Sequence, residues 1–239
     1  MEQEKVKMYK RILAFIIDFL LVAVLSSIVM YAIPHSDKYN ETLENSVTLR
    51  KYITESEEPL SSKELMNISN ELTYDSYKYG VLENSITIVI MISYFTLFTY
   101  FYHGQTIGKK LVKTQVVSLD GKDPSLLSSF GRSVLISRAF ADIITLVLVL
   151  SMKKTTFIKS YYYIDMVLTV IWIACPIVAI WRQDGRGLHD LIGKTKVLDK
   201  RKQESTEIVE AEIKEKKEEK IVVEKKTTKK TTKKSNKKK

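Results

Sequence analysis

The feature that most constrains this chain is an aspartate inside a stretch apolar enough to cross a bilayer. In "RILAFIIDFLLVAVLSSIVMYAIP", Asp18 follows Arg11 by seven residues, and no other charged residue interrupts the run. Four apolar stretches occur, near 12–33, 85–103, 134–151 and 161–181. Each is close to the roughly 17–25 residues that a spanning helix requires. The third carries Arg138 and Asp142 in its first turns, and only "IITLVLVL" behind them is wholly apolar. The pattern predicts an all-α integral membrane protein with four transmembrane helices.

The remaining sequence splits sharply by charge. Residues 34–84 hold ten acidic side chains against five basic ones. The N-terminus (Lys5, Lys7, Lys10, Arg11) and the connection after the second stretch (Lys109, Lys110, Lys113, Lys122, Arg132) are basic. Lys and Arg gather on the cytoplasmic side of short connections. Both termini are therefore expected in the cytoplasm of a multi-pass cell-membrane protein, with the acidic loop outside. The apolar run near the N-terminus is too long for a signal peptide and lacks a small-residue cleavage pattern. Four regions follow: 1–33 with the first span, 34–84 as the outer loop, 85–199 with the other spans, and 200–239 as a Lys/Glu-rich tail.

Within the outer loop, Ser61 or Ser62 is placed to cap a short helix with Leu65, Ile68 and Leu72 on one face. The alternative is a loosely ordered solvated loop. "KLVKTQVVSLDG" reads as a short strand ending in the Asp120-Gly121 turn, and "KTKVLD" at 194–199 as a second. These two strands are expected to pair as a small cytoplasmic β element. The tail has too little apolar surface to offset its ordering entropy and is expected to be disordered or transiently helical. Twenty of the 38 Lys and Arg lie in 182–239, which suits either contact with anionic headgroups or a solubilising role. No aromatic interleaving or reader module accompanies them, which disfavours nucleic acid as a partner.

The buried charges need partners, because an ionisable group near mid-membrane costs about 2.5–3.5 kcal/mol to insert. Arg11 can reach the headgroups with its long side chain; Asp18 cannot. Arg138 and Asp142 lie at a similar depth, so Asp18 is expected to face Arg138, with Asp142 one turn beyond sharing the cation. Asp165, behind Tyr161, Tyr162 and Tyr163, is expected at headgroup level in an aromatic belt. Pro176 is expected to kink the last span, with Cys175 beside it as a small packing residue. At the end of that span, "WRQDGRGLHDLIGKTKVL" gathers Asp184, Arg186, His189 and Asp190 at the cytoplasmic rim. A histidine beside an aspartate suits proton transfer near neutral pH; the other reading is a hydrogen-bonded turn. One cysteine and three scattered histidines offer no disulfide, metal site or cofactor ligation. No nucleophile elbow or phosphate loop is present, so an enzyme is the least supported class.

Three pieces in order, "RILAFIID", "GQTIGKKLVKTQVVSLDG" and "GRGLHDLIGKTKVL", resemble the RDD family of small bacterial membrane proteins. The family's eponymous arginine and two aspartates would be Arg11, Asp18 and Asp190. The resemblance covers about 7–33 and 85–198 and leaves out the acidic loop and the tail. Members are commonly drawn with fewer spans and a shorter first loop. The resemblance implies movement of ions or other ligands that have not been identified.

Two functions compete. In one, the chain transports a cation, proton or small ligand through its intramembrane charge layer of Arg11, Asp18, Arg138 and Asp142, with a homo-oligomer supplying walls that one chain lacks. In the other it is a structural or assembly protein whose charges hold helices or a membrane partner together.

Overall fold

The computed structural model describes residues 6–55 and 60–200. Three helices are long and apolar enough to cross a membrane: α1 (Met8–Ala32), α4 (Val81–Phe101) and α8 (Lys154–Trp181). At about 1.5 Å per residue, even the shortest exceeds the roughly 30 Å of a hydrocarbon core. The third expected span is broken. It consists of α6 (Leu126–Ile136) and α7 (Ala139–Ser151), which meet at 69° and are apolar enough to count together as a fourth crossing.

The break has a local cause. Arg138 sits in the left-handed region at φ 63°, a conformation that ends α6 and starts α7 anew. Its guanidinium thereby turns toward α8, donating to Asp165 Oδ1 at 2.5 Å and Thr169 Oγ1 at 3.1 Å. Trp172 of α8 donates its indole N–H to the carbonyl of Ile136 at 3.3 Å, satisfying one of the acceptors left by the end of α6.

α1 buries a single face, whereas α4 is buried over more of its circumference. On α1 that face is Ala14, Asp18, Val22 and Ser26, four residues apart and mostly small, so neighbouring backbones come close. Val22 packs on Tyr94 and Phe95 of α4, with Phe15, Phe98 and Ile136 around them. Most other apolar residues of α1 and α8, such as Leu20, Ile28, Val170 and Ile180, lie on the bundle surface, as a lipid-facing exterior requires.

At one end, the segment expected as an outer loop holds α2 (Asp37–Glu55) and α3 (Ser62–Tyr79). Ser61 caps α3 in a reciprocal box with Glu64, as its sequence position indicated. The face that packs inward differs from the expected one. Asn70 and Tyr74 are buried, with Tyr74 against Val149 and Phe157, whereas Ile68 and Leu72 line a groove shared with Leu49 and Tyr52 of α2. Lys154–Asp75 at 3.0 Å and His35–Glu83 at 3.0 Å tie this hairpin end to α8 and α4.

At the opposite end lie the short helices α5 (Ile107–Leu111) and α9 (Leu188–Ile192) and the strands β1 (Thr114–Ser118) and β2 (Thr195–Asp199), which pair as expected. Val6, Val116 and Val197 form a small core under the sheet. The chain up to Val197 is one unit; of the second, from Leu198, only Leu198–Lys200 are described. The tail reading of 201–239 lies outside the described residues.

Candidate functional site

Asp18 does not meet Arg138. Its carboxylate accepts three hydrogen bonds: from Tyr94 Oη at 2.7 Å, Thr106 Oγ1 at 2.5 Å and the Gly108 amide at 2.7 Å. The expectation failed because it compared depth along the helices without the connection 102–113, which folds back against α1. Gly108 makes this approach feasible. A Cβ there would strike the Ala14 carbonyl and come within 2.9 Å of the Asp18 carboxyl carbon. Asp18 thus satisfies amide and hydroxyl donors of a short helix pressed onto a membrane span, where water cannot do so.

The intramembrane charge layer is also two clusters rather than one. Arg138 pairs with Asp165, and Asp142 accepts from Tyr77 at 3.0 Å. Asp165 is thus engaged by Arg138 while staying part-exposed, and Tyr161 stacks on Phe157, while Tyr162 and Tyr163 lie on the surface as belt residues would. The rim group splits as well. Asp184 holds Arg182 and Arg186 in an exposed clamp at 2.8 Å each, and these arginines keep its carboxyl well below the usual range. His189 and Asp190 turn inward and are buried.

Asp190 is the hub of the second cluster. It accepts from Arg11 at 3.1 Å and from the Gly187 amide at 3.1 Å, and it pairs with Arg132 on its other oxygen. Arg132 also donates to Thr195 Oγ1 at 3.2 Å. His189 Nε2 stands 3.6 Å from the same carboxylate. Desolvation, with Arg132, Arg11 and Lys109 nearby, drives the His189 imidazole well below its ordinary value, so it is neutral at physiological pH.

Lys109 completes the cluster. It is only 7% exposed, and its ammonium has Thr106 Oγ1 at 3.4 Å but no carboxylate within 4.0 Å among the described residues. Burial first, then repulsion from Arg132, pushes its pKa down to about 7, against a smaller opposing pull from Asp18.

These groups surround a cavity of about 180 Å³. Arg11, Asp18, Lys109, Arg132 and the neutral His189 are among the residues that line it, with Phe15, Phe95, Ile136 and Trp172, and most of the lining surface is apolar. Arg11, Asp18, His189 and Asp190 were legible as candidates from sequence and meet here. In the sequence alone, Lys109 and Arg132 bear only on orientation. The signal for Arg132 was its setting in "SSFGRS", where the small polar Ser129 and Ser133 share its buried face.

Fold and site define a multi-pass membrane protein with a buried ionic cluster under its spans. The family model of the RDD family matches residues 5–194, and the chain belongs to that family. No curated protein and no solved structure matches the chain.

Proposed function

We propose that this protein is a transporter of small solutes whose binding chamber is the cavity between α1, α6, α8 and α9. The observation that carries the reading is a cavity inside a spanning bundle walled by Arg11, Lys109, Arg132 and His189. Ionisable groups retained at such cost inside a membrane protein mark ligand or ion paths by default. Asp18 is less suited to carry a cation than its sequence position implied, because its three bound donors would have to be given up. The sheet end is read as cytoplasmic from its Lys and Arg content, and a homo-oligomer would enlarge the walls of the path.

The test is flux into proteoliposomes loaded with a pH dye, driven by gradients of sodium, potassium, chloride or acetate. Flux with at least one salt, lost in Lys109→Met, supports transport. No flux with any of them, from protein that remains folded, would sink it.

One observation favours the assembly reading instead. Asp190 joins Arg11 of α1 and Arg132 of α6, so the charges staple distant segments. On that reading Asp190→Asn removes the fold or its complex and no flux is ever seen.

A further inference from the structure

Three cations, Arg11, Lys109 and Arg132, face two carboxylates, Asp18 and Asp190, in this cluster, with His189 alongside. Both arginines already share Asp190, and Asp18 is saturated by neutral donors. The ammonium of Lys109 is thus the one cation of the cluster without a carboxylate in salt-bridge range among the described residues. An unmatched charge in a low-dielectric site draws a counter-ion.

Besides the ionisable residues, Ile12 of α1 and Ile173 of α8 line the cavity while also reaching the bundle surface, 48% and 45% exposed. Around them the outer faces of both helices are apolar, with Leu13, Ile16, Ile171 and Ile177. The mouth between α1 and α8 therefore opens sideways, toward lipid. A volume of about 180 Å³ is smaller than the roughly 300–1,000 Å³ that encloses a whole drug-sized ligand. It accommodates a head and the first carbons of a chain whose remainder stays in the bilayer.

We propose that this cavity takes the head of a singly charged oxyanion on an apolar chain, held by Lys109 with Arg11 and Arg132 flanking it and reached from the bilayer between α1 and α8. The oxyanion replaces the Thr106 hydroxyl as partner of the ammonium, and Phe15 and Trp172 close over the first carbons of the chain. A free amphiphile with a carboxylate head and an anionic phospholipid share this chemistry. The proposal rests on the chamber reading above and names what the chamber holds.

Trp172 lies on the cavity wall, and the chain's other tryptophan, Trp181, is 83% exposed. Trp181→Phe therefore leaves a single reporter in the site. The full chain in zwitterionic lipid nanodiscs is titrated with 2-bromododecanoate and, separately, with a brominated dodecyl trimethylammonium. Saturable quenching of Trp172 by the carboxylate alone is expected, weakened about tenfold or more in Lys109→Met and retained in Lys109→Arg. Equal quenching by anion and cation in the wild-type cavity would overturn the proposal without reference to any variant. So would undiminished affinity in Lys109→Met with the Trp172 emission maximum unmoved. Phosphatidylglycerol added to the discs separates the sources: displacement of the probe identifies a lipid headgroup, retention a free amphiphile. Saturable quenching without flux would leave the ligand class standing and remove transport; flux of inorganic salts without quenching would do the reverse.

Discussion

Asp18 receives three donors, and a carboxylate can accept all of them because it presents two oxygens and no hydrogen. In Asp18→Asn one oxygen becomes an NH₂ that faces those donors. Each donor left without an acceptor costs about 1–3 kcal/mol, so the midpoint of thermal unfolding in detergent should fall by several degrees. An unchanged midpoint would show that the contacts around Asp18 are not holding α5. Lys109 makes a different prediction, one of pH. Its ammonium feels Arg11 and Asp18 from α1, Arg132 from α6 and His189 from α9. Its pKa of about 7 lies below the ordinary 10.5, so between these values the unfolded chain binds more protons than the folded one. Stability therefore rises with pH across that window, and the gain is lost as pH falls back toward 7. His189, also depressed, extends the same trend below its ordinary 6.5. Unfolding midpoints from pH 6.5 to 9 should climb in the wild type and flatten in Lys109→Met; equal slopes would show that Lys109 does not titrate there. A bound oxyanion should hold the lysine proton, so affinity for 2-bromododecanoate should drop by about tenfold per pH unit above 7.

Among the elements, α5 depends on a glycine for contact and β1 on a glycine for a turn. Gly108→Ala places a methyl against the Ala14 carbonyl and the Asp18 carboxyl, with an expected loss of about 1–3 kcal/mol. Gly121, at φ +83°, has open space within 4 Å. Gly121→Asn, whose residue tolerates that region, should cost well under 1 kcal/mol. Comparing the two variants by chemical unfolding checks whether close packing rather than turn geometry explains "TIGKK". At the broken span, Trp172→Phe keeps an aromatic ring and removes the donor to Ile136, leaving a part-buried carbonyl without that partner at about 1 kcal/mol. A melt identical to wild type would mean that the carbonyl finds another partner. The helices themselves were readable because hydrophobic length is a local property, and the two strands because a Val run and an Asp-Gly turn are local too. The fold-back of 102–113 was not, since it depends on Gly108 meeting a backbone carbonyl some ninety residues earlier in the chain. Arg138 misled for a related reason: a left-handed residue inside an apolar run leaves no trace in hydropathy.

Taken whole, the charges expected to share one intramembrane layer divide, among the described residues, between the sheet end around Asp190 and the break around Arg138 and Asp165. Composition revealed that charges were buried, but which carboxylate met which cation required the fold. The basic C-terminal region is expected to act at the same scale. Ending the chain after Lys200 removes most of the Lys and Arg of 182–239, and sedimentation with phosphatidylglycerol vesicles should then compare equally well in low and moderate salt. Retained salt sensitivity would place the lipid contact in the folded part. The partnership of Arg11 with Asp190, 179 residues apart, also sets an order of events during synthesis. The first span enters the bilayer with its arginine unmatched, and Arg132 follows in the same condition. Both wait for a carboxylate that leaves the ribosome only after the last span has been made. Nascent chains that stop short of Asp190 would hold two arginines lacking that counter-charge.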